Sequence, residues 1–313
     1  MSVAVIFNGQ GAHYAQMGLD FKAAYPEAQE TFEKAEAITG YPISEWLSDD
    51  MTPFQQTQYA QVAITATSLA IYNSIKTKLP VMSYMAGLSL GEYTSLIAGE
   101  MLSFEEGMQL IKQRGQLMTQ HCAALREEQD IAMEAVMNVP LHEVRELIAE
   151  VNDGAEKLFV ANLNSSTQII IAGSTDSIAE FKALAKDRGY KRMMPLKVEG
   201  PFHTPYMAPV AEPFAQVLDA ITFHEGNVPV ISNTTVEPHT PETVKEDLTK
   251  HLVESVRWRE TIDYLVDHGV EKLIQIGPGK TLANLLKREP NAPATLVIDK
   301  VEDLDKLEDF IGG

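Results

Sequence analysis

Val81-Met82-Ser83-Tyr84-Met85-Ala86-Gly87-Leu88-Ser89-Leu90-Gly91-Glu92-Tyr93-Thr94-Ser95-Leu96-Ile97-Ala98 is the stretch that decides the fold class. Behind Pro80, the apolar run Val81 to Ala86 reads as a buried strand, Gly87 to Gly91 as a sharp turn, and Glu92 to Ala98 as a helix. A strand that passes into a helix through so short a turn belongs to a largely parallel sheet. The turn also matches the nucleophile elbow G-x-S-x-G in its required context of strand before and helix after. A strained turn needs small residues on both sides of the serine, and both glycines meet that need. Ser89 then sits at a helix N-terminus, where the free N–H of Leu90 can stabilise an oxyanion. An ordinary Gly-rich turn with a capping serine has the same pentapeptide, so the rest of the chain must decide.

Outward from the elbow, strand and helix alternate. Val3 to Phe7 reads as a first buried strand closed by Asn8-Gly9-Gln10-Gly11, and helical periodicity runs from Pro26 to Ile38 and from Gln61 to Ile75. Between about Asp130 and Val198 the rhythm changes. Strand (Ile131–Met137), helix (Leu141–Val151), strand (Leu158–Leu163), strand (Gln168–Ala172), helix (Asp176–Lys186) and strand (Met193–Val198) give the βαββαβ order of a ferredoxin-like unit. Signals for Val228–Ser232, Trp258–His268 and Lys272–Ile276 resume afterwards, so the unit reads as an insertion. The expected organisation is an α/β-hydrolase-like large domain with a mostly parallel sheet, residues 1–127 plus 199–313, and a ferredoxin-like small domain, residues 128–198. Leu304, Leu307, Phe310 and Ile311 give the acidic tail the apolar positions of a short packed helix.

Composition narrows the function. The 313 residues are 45% hydrophobic, enough to bury a sizeable core. Lys and Arg number 25 against 44 Asp and Glu, and the net charge of −19 disfavours nucleic acid and anionic lipid as partners. A single cysteine, Cys122, allows neither an internal disulfide nor a thiolate zinc site, and it reads as a packing residue after the helix that carries Arg114. No HExxH occurs, so no metal is expected. Gly277-Pro278-Gly279-Lys280-Thr281 imitates the end of a phosphate-binding loop, but Ile274 stands where its first glycine is required. With no run of about eighteen apolar residues and no basic leader, a cytoplasmic protein is expected.

A nucleophilic serine needs a base. Of the eight histidines, His203 stands apart, in the irregular loop Glu199-Gly200-Pro201-Phe202-His203-Thr204-Pro205 directly after an apolar strand. With these residues in place, the chain resembles the malonyl-CoA:acyl carrier protein transacylase family and the related acyltransferase domains of polyketide synthases. The resemblance runs nearly end to end: Phe7-Asn8-Gly9-Gln10-Gly11 with Met17-Gly18, Gln61 to Ala63, the elbow extended to Gly91-Glu92-Tyr93, Arg114-Gly115 with Met118, Asn162, Gly200 to Thr204, Ile231-Ser232-Asn233, Val256-Arg257-Trp258 and Gly277-Pro278-Gly279-Lys280.

The resemblance implies that Ser89 attacks the malonyl-CoA thioester and that the phosphopantetheine thiol of acyl carrier protein collects the malonyl group, in ping-pong acyl transfer. His203 would move the protons, with a pKa near neutrality. The backbone N–H groups of Gln10 and Leu90 would form the oxyanion hole. Arg114, against the ordinary reading of a helix-surface arginine, would bind the malonyl carboxylate. Asn162, on the small domain, would donate across the cleft to the acyl group or to the surroundings of Arg114, and Phe202 would fill the space a 2-methyl branch needs. No cofactor is implied; malonyl-CoA and CoA are substrate and product, acyl carrier protein the partner, and a monomer suffices.

Three departures from the family pattern stand out. Leu88 replaces a histidine. His251, seven residues before Trp258, replaces a glutamine that supports the catalytic histidine, with Ser255 in place of a proline. Asn8 replaces a proline, which should alter loop rigidity. Asp247 and Glu254 lie near His251 in sequence without an assigned role. Lys186, Arg188, Lys191, Arg192 and Lys197 concentrate positive charge before His203 and could steer an acidic carrier protein, with a solvated basic face as the alternative. A serine esterase on the same elbow and a noncatalytic carrier-binding protein are the competing classes.

Overall fold

The computed structural model describes residues 2–312. Two sheets organise it. The first is parallel, in the order β2–β1–β7–β8, with β1 at Val3–Phe7, β2 at Tyr84–Gly87, β7 at Lys272–Ile276 and β8 at Ala294–Ile298. Every residue of β1 is buried, as a strand covered by helices on both faces must be. Because the strands are parallel, their carboxyl ends share one edge of the sheet. Asn8 to Gln10, Leu88 to Leu90 and Gly277 to Gly279 emerge there side by side, at the edge where open α/β sheets place their ligands.

The second sheet is antiparallel, in the order β4–β5–β3–β6, with β3 at Ile131–Met137, β4 at Leu158–Ser165, β5 at Gln168–Ser174 and β6 at Met193–Pro195. Helices Leu141–Asn152 and Thr175–Asp187 cover one face and build a separate apolar core with Val144, Leu147, Ile171 and Phe181. The two sheets are joined by chain pairing at Val256: its N–H donates to the Ala161 carbonyl at 2.9 Å and its carbonyl accepts from Leu163 N–H at 2.8 Å. Ser255 strengthens the joint by donating its hydroxyl to the Val160 carbonyl at 2.5 Å.

Helix Phe104–Glu128 starts on a serine N-cap: Ser103 Oγ accepts from Glu106 N–H and donates to the Glu106 carboxylate. It packs against helix Thr57–Ile75 at Gly115, where a Cβ would come within 2.6 Å of the Gln58 Cα. That close approach brings Arg114 to Gln61. Among the described residues, no helix is long and apolar enough to cross a membrane.

Several expectations are corrected. The elbow strand begins at Tyr84, not Val81, whose side chain is 95% exposed. Residues 228–232 form no strand; they make a short parallel bridge from Val230 to Met85, beside Pro229, which has no N–H to continue a ladder. The strand from Met193 ends at Pro195 rather than Val198, with one further bond from Leu196 N–H to the Met133 carbonyl at 2.9 Å. Cys122 lies on the Arg114 helix, not after it. Strand β8 was not expected. The tail folds as a 3-10 helix of about two turns, Val301–Lys306, then helix Leu307–Gly312, with Leu307 buried.

Candidate active site

Two loops meet at the carboxyl edge of the parallel sheet. A Cβ on Gly91 would come within 2.2 Å of the Phe7 carbonyl oxygen, and one on Gly9 within 2.5 Å of the Leu88 carbonyl oxygen, so glycine at both positions allows the elbow to seat against the first loop. Leu88 lays its side chain on that contact, an apolar seat where the family carries a polar ring. Ser89 has φ 55° and ψ −103°, a strained conformation that lifts its side chain off the turn.

Asn233 holds the strained elbow from outside. Its Oδ1 accepts from Ser89 N–H at 2.7 Å and its Nδ2 donates to the Gly87 carbonyl at 2.8 Å. With the Ser89 N–H occupied, the N–H of Leu90, the first helical residue, has no intrahelical acceptor and remains available. Asn8 fixes the facing loop. Fully buried, it donates to the Pro278 carbonyl at 2.6 Å and accepts from Leu282 N–H at 3.2 Å, replacing the rigidity of a proline ring with cross-links. The phosphate-loop look-alike at Gly277–Lys280 is therefore a structural partner of the Gln10 loop.

Ser89 Oγ lies 2.7 Å from His203 Nε2, and His203 Nδ1 lies 2.7 Å from the backbone carbonyl of His251. A carbonyl only accepts, so Nδ1 carries the proton and Nε2 is free to accept from the serine hydroxyl. Among the described residues, no carboxylate bonds the His203 ring. His203 itself has φ 61° and is buried. Burial, reinforced by the nearby Arg114 charge, holds its pKa down to about 3 against the opposing pull of the His251 carbonyl, which corrects the expectation of near-neutrality. At rest the base is ready to accept a proton.

Arg114 is not on the surface. It is 1% exposed, its guanidinium lies 4.8 Å over the Tyr93 ring, and its Nη1 donates to Gln61 Oε1 at 2.7 Å. Gln61 Nε2 reaches on to Gln10 Oε1 at 3.4 Å, and Gln10 Nε2 donates to Thr57 Oγ1 at 3.0 Å. Among the described residues, Arg114 Nε and Nη2 have no hydrogen-bond partner. Two adjacent buried guanidinium donors without an acceptor are costly, and they present the fork that matches a carboxylate.

The remaining expected residues divide. Phe202 is buried in the His203 loop. Asn162 is buried at a β4 bulge beside Val256 and does not bond Arg114, whose one hydrogen bond goes to Gln61. A cleft of about 620 Å³ opens at His203, lined by Phe159, Leu163, Pro205 and Val253 with Arg145 at its rim. Cys122 is buried and its thiol is pushed up to about 12, chiefly by burial. Arg188 is tied to Glu143, Glu146 and Glu150, which removes it from the free cations, whereas Lys186, Lys191, Arg192 and Lys197 are exposed.

Sequence reasoning assigned no role to Asn233, Glu92 or His239. The first two stood inside quoted motifs; their partners are more than 140 residues away in sequence, as in the 144-residue separation of Ser89 and Asn233.

The acyl transferase domain model matches residues 4–306. Malonyl CoA-acyl carrier protein transacylase of Bacillus subtilis (strain 168) is 32% identical over 97% of this chain and 95% of its own length. The protein of that name from Escherichia coli (strain K12) is 33% identical over 91% and 92%. Among solved structures, MCAT from Streptococcus pneumoniae superposes with a TM-score of 0.92 at 33% identity, covering 98% of this chain and 100% of that one. A malonyl-transacylase in complex with its type II PKS acyl-carrier protein, PlMCAT:AntF, gives 0.93 at 29%, with complete coverage of both. The chain belongs to the acyl transferase domain family, alongside the proteins named malonyl CoA-acyl carrier protein transacylase.

Proposed function

We propose that the chain loads malonyl groups onto acyl carrier protein for fatty-acid synthesis through a malonyl-Ser89 ester. The observation that carries this reading is the buried Arg114 fork, two orphaned donors linked through Gln61 to Gln10. An enzyme transferring an uncharged acyl group has no use for it.

In the first half-reaction Ser89 Oγ attacks the thioester carbon while its proton passes to His203 Nε2. The tetrahedral oxygen rests on the N–H groups of Gln10 and Leu90. Collapse breaks the C–S bond, and the imidazolium returns the proton to the CoA thiolate. The pantetheine thiol of the carrier protein then enters the cleft at His203, gives its proton to Nε2, and attacks the serine ester. When the intermediate breaks, the serine oxygen takes that proton back. Pairing of the malonyl carboxylate with Arg114 offsets the positive charge that suppresses His203, so donor binding favours the imidazolium the reaction needs.

Phe202 crowds the acyl pocket against a 2-methyl branch, while Asn162 supports the pocket through the Val256 joint. Lys186, Lys191, Arg192 and Lys197 receive the acidic carrier protein, with Met194 and Leu196 exposed between them. The strand orders of the two sheets support reading residues 1–127 and 199–313 as an α/β-hydrolase-like domain interrupted by a ferredoxin-like domain at 128–198. The test is intact-protein mass after brief mixing with malonyl-CoA. An adduct of about 86 Da on the wild type, absent from Ser89→Ala and discharged by carrier protein, is the expected result. Free malonate without an adduct would instead identify an esterase.

A further inference from the structure

Four titratable side chains lie buried beside the reacting pair, and none of them takes part in the steps above. Glu92, His239 and His251 are fully buried and Asp247 is nearly so. Glu92 Oε1 accepts from His239 Nε2 at 2.7 Å and from Asn233 N–H at 3.3 Å. Glu92 Oε2 lies 3.1 Å from His251 Nδ1, a close contact that does not complete a hydrogen bond, and His239 Nδ1 lies 3.3 Å from Asp247 Oδ2. Burying a carboxylate is expensive unless a charge answers it. Here His239 answers: burial alone would hold its imidazole neutral, but Asp247 and Glu92 outweigh that and lift it to about 9.

Two arms leave Glu92. One runs through Asn233, whose side chain fixes the peptides on both sides of the Ser89 turn. The other runs through His251. Its ring is stacked between His203, 4.8 Å away, and Tyr93, 6.2 Å away, and its carbonyl takes the His203 Nδ1 proton. Burial, with the neighbouring His203, Arg114 and His239, holds the His251 pKa well below its ordinary value, so the ring is neutral, and it turns its Nδ1 toward the carboxylate. Helix Val244–Lys250 ties the two arms, since Asp247 lies on it and His251 ends it, with His251 N–H donating to the Asp247 carbonyl at 2.8 Å.

We propose that Glu92, clamped by His239 and Asp247, is a positioning residue that sets both members of the Ser89–His203 pair, the nucleophile through Asn233 and the base through His251. The inference rests on the reading that these two residues carry acyl transfer. Its benefit is registration: an error of about 1 Å between reacting groups costs roughly a hundredfold in rate.

Rapid-quench acylation by malonyl-CoA, read by intact mass, separates positioning from folding because it gives an amplitude and a rate constant. In Glu92→Gln the acylation rate constant should fall about ten- to a hundredfold, with amplitude and the malonyl-CoA KM unchanged. A merely structural role would lower the amplitude and leave the remaining molecules at full speed. If that variant does not fold, His251→Leu decides. It keeps the carbonyl but loses the contact with Glu92, and should slow acylation about tenfold; His251→Gln, whose amide N–H reaches the same carboxylate, should recover most of the rate. Nitrogen-15 NMR of labelled histidines should show His239 doubly protonated from about pH 6 to 8 in the wild type, and titrating near its ordinary value in Glu92→Gln. Wild-type rate constants in Glu92→Gln or His251→Leu, failure of His251→Gln to recover, or a His239 that titrates near its ordinary value in the wild type would overturn the proposal. Absence of any malonyl-serine in the wild type would instead overturn the reading beneath it.

Discussion

Replacing Arg114 with methionine separates the role in substrate choice proposed for this residue from its role in the fold. Its free Nε and Nη2 would each give a charge-assisted hydrogen bond to the malonyl carboxylate in a site that excludes water. At about 1.5–3 kcal/mol apiece, less about 1 kcal/mol for the carboxylate's own desolvation, the fork supplies about 2–5 kcal/mol. At about 1.36 kcal/mol per decade, kcat/KM for malonyl-CoA should fall roughly 30- to 5000-fold. Acetyl-CoA has no carboxylate, so its kcat/KM should hold or rise. The stability terms nearly cancel: the variant loses the Gln61 bond and the Tyr93 stacking, but also removes two unsatisfied buried donors costing about 1–3 kcal/mol each. The melting temperature should therefore move by only a few degrees, about 1 kcal/mol in stability at most. The assay is paired kinetics with the two donors at one carrier-protein concentration, beside a melting curve. An equal loss for both donors, or a malonyl loss under about tenfold, would refute the assignment.

Because the His203 pKa is held down to about 3, protonation should not remove the base near the ordinary value of 6.5; log kcat/KM for malonyl-CoA should stay flat as pH falls from 8 to about 5, and a tenfold drop per unit below 6.5 would contradict this. A Cβ on Gly200 would meet Cys122 Sγ at 2.1 Å, so Gly200→Ala should cost about 1–3 kcal/mol and displace the His203 loop, and Cys122→Ala in the same chain should restore most of the stability and activity, as paired melts and rates would show. Replacing Lys191 and Arg192 with alanine should raise the KM for carrier protein roughly five- to twentyfold at low salt and leave that for malonyl-CoA unchanged, with the difference shrinking as salt rises; equal kinetics would sink the docking surface.

What could be read from the sequence was whatever is local. The elbow announces itself because strand, glycines, serine and helix are consecutive, and the βαββαβ order survives because each of its segments carries its own periodicity. His203 could be singled out by its loop. Arg114 could be found only through the motif around it, since a long basic residue on a helix ordinarily lies outside; Gly115 was the physical clue, a helix position whose missing Cβ admits a neighbouring helix. The layer behind the pair was out of reach. Whether Asn233 meets Ser89, or His239 meets Glu92 across 147 residues, depends on how the chain returns after the inserted sheet, and no periodicity encodes that return. Strand β8 escaped because its run of five residues follows Pro293 without any alternation to mark it.

The left-handed backbone at Ser89 also limits what evolution can do with this site. At φ 55° a β-branched residue is a steric outlier, so the turn admits serine, or cysteine, but resists threonine, although threonine carries the same hydroxyl. The same torsional sign at His203, φ 61°, burdens the base in the same way. Each reacting residue is thus defined by its main chain before its side chain is considered. On the proposed mechanism, descendants of this scaffold can exchange the pocket around Arg114 and Phe202, one side chain at a time, far more easily than they can exchange the Ser89–His203 pair.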